Sequence, residues 1–179
     1  MRKWNAILTA VIMTRFVIHG VLGALNMFDI AVIIVKFISY TMVALIAVHT
    51  ILSTILTARS VKVWKKTGAP YFKENGLFWS RRISGFALML LIPFHMLSFG
   101  ATVDGVYSLS FFSDLKLFAS ILFVLCLAVH IIANAKPMLI SFGVRKLRPR
   151  AGDILFFLSI LLVIAVAAFI VYFIRWNTL

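Results

Sequence analysis

Four histidines, His19, His49, His95 and His130, stand one apiece in the first four of five long apolar stretches. Imidazole is uncommon in a transmembrane helix, and an ionisable group there marks a functional site by default. Neutral imidazole is also the commonest metal ligand among side chains. Depth sorts the four into pairs. At ~1.5 Å rise per residue, His19 lies ~20 Å beyond Trp4 on a first helix running outward, and His95 lies ~20 Å beyond Arg82 on the third. On the inward-running helices, His49 comes ~30 Å after Phe28 and His130 ~22 Å after Leu115. Two pairs at two depths suit two stacked haems held by bis-histidine ligation, His19 with His95 toward the outer face and His49 with His130 toward the inner one. A lone intramembrane histidine is more often a helix–helix hydrogen-bonding residue, or lines a proton or ion path. Four on four helices, matched in depth, favour haem.

The neighbours of these residues suit a flat apolar cofactor with propionate tails. Gly20 and Gly23 leave room beside His19 for a ring to approach the backbone. Ser84 precedes His95 by eleven residues, within ~20° of its face. Ser53 and Asn134 follow His49 and His130 by one turn each, placed to orient an imidazole or meet a propionate. Arg15, one turn inward of His19, is expected to meet a propionate of the outer haem. Cys126 is the only cysteine. It rules out a disulfide within the chain, a four-cysteine iron–sulfur site and covalent Cys-x-x-Cys-His haem attachment. An iron centre in this chain must rest on histidine.

The elements that carry these residues follow from composition. The chain has 179 residues, 63% of them hydrophobic and only 13% charged, which indicates an integral membrane protein. A helix needs about 20 apolar residues to cross a bilayer. Five stretches qualify, about 4–25, 28–57, 83–103, 115–140 and 154–174, predicting one all-α domain of five transmembrane helices, four of them enclosing the two haems. Short connections predict antiparallel neighbours. Arg59 to Arg82 is the longest polar segment and reads as a surface loop or short helix, with Lys-Lys-Thr-Gly-Ala-Pro and Lys-Glu-Asn-Gly as turn chemistry. Pro93 is placed to kink the third helix, and Pro137 to bend or fray the fourth. Met-Arg-Lys before an apolar run resembles a signal peptide, but Arg15 and His19 interrupt the run and no small-x-small site follows. Retention as a mature helix is the expectation.

The formal charge of +13 is a matter of placement rather than of nucleic-acid binding. Arg2, Lys3, Arg59, Lys62, Lys65, Lys66, Lys73, Arg81, Arg82, Arg145, Lys146, Arg148 and Arg150 all fall to one side of the serpentine, while Asp29, Asp104 and Asp114 lie at the other. The positive-inside rule then places the N-terminus in the cytoplasm and the C-terminus outside, in a bacterial or archaeal cytoplasmic membrane. Trp4, Trp64 and Trp79 read as inner interfacial anchors, Tyr172 and Trp176 as outer ones.

The run Phe78-Trp79-Ser80-Arg81-Arg82-Ile83-Ser84-Gly85, leading to His95-Met96-Leu97, resembles the cytochrome b subunit of succinate dehydrogenase and fumarate reductase. That family often carries Arg-x-Ser-Gly at the inner start of a haem-binding helix. The layout is similar to its dihaem, single-chain, five-helix branch along nearly the whole chain, including a last helix without histidine. The resemblance implies the same haem pairing. It further implies a membrane anchor for an iron–sulfur and a flavoprotein subunit at the cytoplasmic face, in complexes that are often dimeric. Electrons would pass between the iron–sulfur subunit and a quinone, by resemblance menaquinone, with the dicarboxylate chemistry on a partner. Asp29 occupies a place where some members use a carboxylate at an outer quinone site, as a proton acceptor. Lys36 lies seven residues on, within ~20° of its face. Similarity to single-haem members suggests an alternative inner quinone site at Ser84 with Arg81 or Arg82. Some dihaem members carry a glutamate just before the haem histidine of the fourth helix; Leu127, Ala128 and Val129 stand there in this chain.

Two other functions stay open at this point. One is a dihaem cytochrome b of another respiratory enzyme, such as a hydrogenase or formate dehydrogenase, although those tend to place two histidines on one helix. The other is a small helical transporter or scaffold without haem, which has no need of depth-matched histidines.

Overall fold

The computed structural model describes residues 2–28, 30, 32–68, 76–143 and 147–178. Five helices form: α1 (Arg2–Met27), α2 (Val35–Thr67), α3 (Gly76–Ser98), α4 (Asp114–Ser141) and α5 (Leu147–Thr178). Each carries a segment long and apolar enough to cross a membrane, which makes this a multi-pass membrane protein. Between α3 and α4 stands a small antiparallel hairpin of β1 (Ala101–Val103) and β2 (Val106–Ser108). The hairpin defines one end of the bundle, and the start of α1 defines the other.

The hairpin corrects the purely helical reading and the third span's expected run to Val103. Asp104 and Gly105 both take positive φ, 49° and 79°, between the paired Val103 and Val106. An Asp-Gly pair with both φ positive is the two-residue turn that matches the twist of a β-hairpin. Helix α2 starts at Val35 because the backbone before it is held otherwise. Buried Asn26 accepts from the Val32 N–H at 2.6 Å and donates to the Val32 carbonyl at 3.3 Å. At its far end α2 continues to Thr67, where Gly68 takes a left-handed φ of 65° and its N–H caps the Trp64 carbonyl. Much of the polar Arg59–Arg82 segment is therefore the ends of α2 and α3. Pro93 and Pro137 both lie inside helices, and α4 runs four residues past Pro137. Ser113 caps α4, accepting from the Lys116 N–H at 3.5 Å.

Packing runs α2 on α1, α1 on α5, α5 on α4 and α4 on α3. The ring does not close, for α2 finds its substantial contact only on α1 and buries none of its residues. At the hairpin end the bundle is tight. Tyr172 of α5 is 0% exposed, so it is a core residue and not the interfacial anchor its position suggested. Its hydroxyl accepts from the N–H groups of Gly100 at 3.0 Å and Ser110 at 2.7 Å, pinning both feet of the hairpin. Gly100 is required there, since the Ser108 carbonyl occupies the space a β-carbon would need. Arg175 adds a tie to α1, donating to the Met27 carbonyl at 2.8 Å.

Candidate functional site

The unclosed side of the ring is a cavity of about 1350 Å³ lined by all four histidines. That exceeds the roughly 300–1,000 Å³ of ordinary small-molecule pockets. Its walls are mostly apolar residues of every helix, and its two ends are polar. Lys62, Lys65, Arg81 and Arg82 line it at the N-terminal end. Asn26, Lys36, Thr102 and Tyr107 line it at the hairpin end.

His19 on α1 and His95 on α3 face one another across the cavity, ring centres 6.1 Å apart and planes crossed at 74°. Behind His95 stands an aromatic wall. Phe123 stacks on the ring at 4.8 Å, and Phe99 and Phe169 approach at 5.2 and 6.1 Å. Its Nδ1 is buried with no partner among the described residues. His49 on α2 and His130 on α4 line the cavity toward its N-terminal end.

Three of the imidazoles rest on hydroxyl groups. Ser39 Oγ lies 3.2 Å from His19 Nδ1, Thr9 Oγ1 3.4 Å from His49 Nδ1, and Ser84 Oγ 3.1 Å from His130 Nδ1. Each hydroxyl spends its hydrogen on its own helix, one turn back. Ser39 donates to Val35 at 2.8 Å, Thr9 to Asn5 at 2.8 Å and Ser84 to Ser80 at 2.6 Å. A hydroxyl has one hydrogen, so toward the ring each can only accept. The rings therefore carry the proton on Nδ1 and keep a lone pair on Nε2. Ser53 fits this, since its Oγ stands 3.5 Å from His49 Nε2, at the outer limit for a bond. A histidine whose Nδ1–H is held and whose Nε2 is free has the form of a metal ligand.

Several residues singled out by sequence fall elsewhere. Arg15 donates to the Thr41 hydroxyl on α2, and neither side chain lines the cavity. One turn from His19 means 400° of rotation, and the ~40° excess carries Arg15 onto the flank of α1. Ser84 shares an angular face with His95 but serves His130, because eleven residues separate it from His95 by ~16 Å along the axis. Asn134 lines the cavity, but its amide donates to the His130 backbone carbonyl at 2.7 Å rather than to a ring. Lys36 is exposed at the hairpin end. Arg81 gives its Nε–H to the Leu77 carbonyl at 3.0 Å, and the Arg82 guanidinium sits 4.7 Å over the Phe78 ring. Asp29 and Lys73 lie outside the described residues, as do Arg145 and Lys146.

Thr9, Ser39 and Phe123 were not anticipated, although a signal for the hydroxyls exists. Thr9 precedes His19 by ten residues, and Ser39 precedes His49 by ten. In an antiparallel helix pair that spacing puts each hydroxyl level with the other helix's histidine. Among the described residues no cluster of three or more His, Cys, Asp or Glu forms. No protein-family model, no curated protein and no solved structure matches this chain.

Proposed function

We propose that this chain is a dihaem cytochrome b, the membrane anchor of a complex of the succinate dehydrogenase and fumarate reductase kind. In this reading it carries electrons between a quinone and an iron–sulfur subunit. The observation that carries it is the His19–His95 pair in a large apolar cavity. Two imidazoles on opposite sides of one metal ion, each about 2 Å from it, have ring centres roughly 6 Å apart. The measured spacing is 6.1 Å.

Other features fit the same group. Gly23 lines the cavity with nothing within 4 Å of the place a β-carbon would take, leaving backbone open to a flat ring. Asn5 Oδ1 and Thr102 Oγ1, buried and without partners among the described residues, stand toward opposite ends of the cavity. When bound, haem supplies a one-electron carrier at each level. The chain's own part is to hold each iron between two neutral imidazoles, exclude water with the Phe99–Phe123–Phe169 wall, and offer cations to propionates at the N-terminal end. Lys62, Lys65 and the arginines there also suit an iron–sulfur partner with its flavoprotein, on the cytoplasmic side. A quinone, menaquinone by the family's habit, suits the hairpin end, where Lys36 supplies charge; Asp29, which follows α1 in sequence, remains the candidate proton acceptor.

The test is a reduced-minus-oxidised spectrum and pyridine haemochrome assay of the purified chain. Two low-spin b haems per polypeptide are expected. One or none rejects the proposal.

A further inference from the structure

The hydroxyl behind each of three imidazoles belongs to the neighbouring antiparallel helix, and between α1 and α2 the arrangement is crosswise. Thr9 on α1 backs His49 on α2, Ser39 on α2 backs His19 on α1, and Ser84 on α3 backs His130 on α4. In sequence each hydroxyl stands ten or eleven residues before the histidine of its own helix: Thr9 before His19, Ser39 before His49, Ser84 before His95. Helix α4 keeps the spacing, with Ser120 ten residues before His130. The histidine opposite Ser120 in the α3–α4 pair is His95, the one whose buried Nδ1 has no partner among the described residues. Ser120 is 2% exposed, donates its hydrogen to the Lys116 carbonyl at 2.7 Å, and retains an acceptor lone pair. It sits one turn before Phe123, whose ring stacks on His95.

We infer that Thr9, Ser39, Ser84 and Ser120 form one set of positioning residues, each accepting the Nδ1–H of the histidine on the adjacent helix. Ser120 completes the set once His95 turns its Nδ1–H toward it. The inference rests on the haem reading for its consequence but not for its geometry. Three effects follow from the same bond. The ring is locked in one tautomer, Nε2 is aimed into the cavity, and the imidazole becomes more basic. A more basic axial ligand favours the oxidised iron, so these hydroxyls hold the reduction potential of each haem down.

Redox titration of the haem-loaded full chain tests this. Ser39→Ala and Ser120→Ala should raise the potential of the haem lost in His19→Ala. Thr9→Val and Ser84→Ala should raise only that of the haem lost in His49→Ala. About a tenfold change in the reduction equilibrium is expected, ~59 mV for one electron. Thr9→Ser and Ser84→Thr, which keep the hydroxyl, should restore wild-type values. The decisive case is Thr9→Val, which must shift the haem ligated by the other helix. A shift of the haem on its own helix, or no shift in any variant, overturns the inference, and silence of Ser120→Ala alone removes Ser120 from the set. A wild-type chain without pigment would refute the haem reading by itself. Histidine ¹⁵N spectra of that chain would then decide the positioning claim. Nδ1-protonated rings, one lost with each hydroxyl, uphold it, and Nε2-protonated rings overturn it.

Discussion

Gly85 sits against His130: a β-carbon built on this glycine would lie 3.3 Å from the ring's Cε1 and 3.6 Å from Nδ1. Its neighbour Ser84 meets the same Nδ1 at 3.1 Å. Two consecutive residues of α3 thus fix one imidazole of α4, one by having no side chain and the other by accepting a hydrogen bond. They are the last two residues of the Arg-x-Ser-Gly run, and this contact gives that run a physical meaning.

Enlarging Gly85 must therefore displace His130. Gly85→Val should weaken binding of the haem at the N-terminal end by roughly tenfold or more, the scale of a disturbed outer shell. Gly152→Ala, outside the cavity and with nothing within 4 Å, should leave both haems in place. Haem titration of the two variants, followed by absorbance, checks the contrast.

The proposed haem pairing sets which histidines stand or fall together. His19→Ala and His95→Ala should each abolish the same redox transition, and His49→Ala and His130→Ala the other. Potentiometry of the four variants reads this directly. A transition shared by His19→Ala and His49→Ala would break the pairing.

Removing the Tyr172 hydroxyl leaves two part-buried N–H donors, at Gly100 and Ser110, without their acceptor. An unmade buried hydrogen bond costs about 1–3 kcal/mol. Tyr172→Phe should lower the melting temperature and speed amide exchange at Gly100 and Ser110 first, while amides near His49 and His130 stay protected.

Tyr107, on the hairpin, has its phenol pushed well above the ordinary value by burial, reinforced by the nearby Tyr172 and a hydrogen bond to it. An unfolded tyrosine ionises near pH 10. The native chain keeps this proton while the unfolded chain gives it up, so the stabilisation is full below about pH 10 and declines above it. Melting temperature should fall from pH 10 to 12, and Tyr107→Phe should flatten that part of the slope.

Much of the fold was legible because apolar length and placed charge decide it. Five helices follow from hydropathy, and His19 and His95 share a level because rise per residue is constant. The hairpin was missed because Ala101, Thr102 and Val103 read as the apolar end of a span, although Asp104-Gly105 carried the turn. Angular bookkeeping on single helices also has a limit. It placed Ser84 with His95 and Arg15 with the site, but contact depends on which neighbour a face meets. That information lies between helices, in the matched ten-residue spacings of α1 and α2.

Helix α2 is 33 residues long and leans on α1 alone, with no residue buried. Elsewhere in the bundle protein packs on protein, but along α2 the cavity takes the place of a neighbour. Whatever fills that space would supply the packing surface α2 lacks, so on the proposed reading cofactor binding and the seating of α2 would be one event. Helix α1, by contrast, is anchored to the rest of the bundle through α5, where Arg175 donates to the Met27 carbonyl, so α2 is the least supported of the five helices.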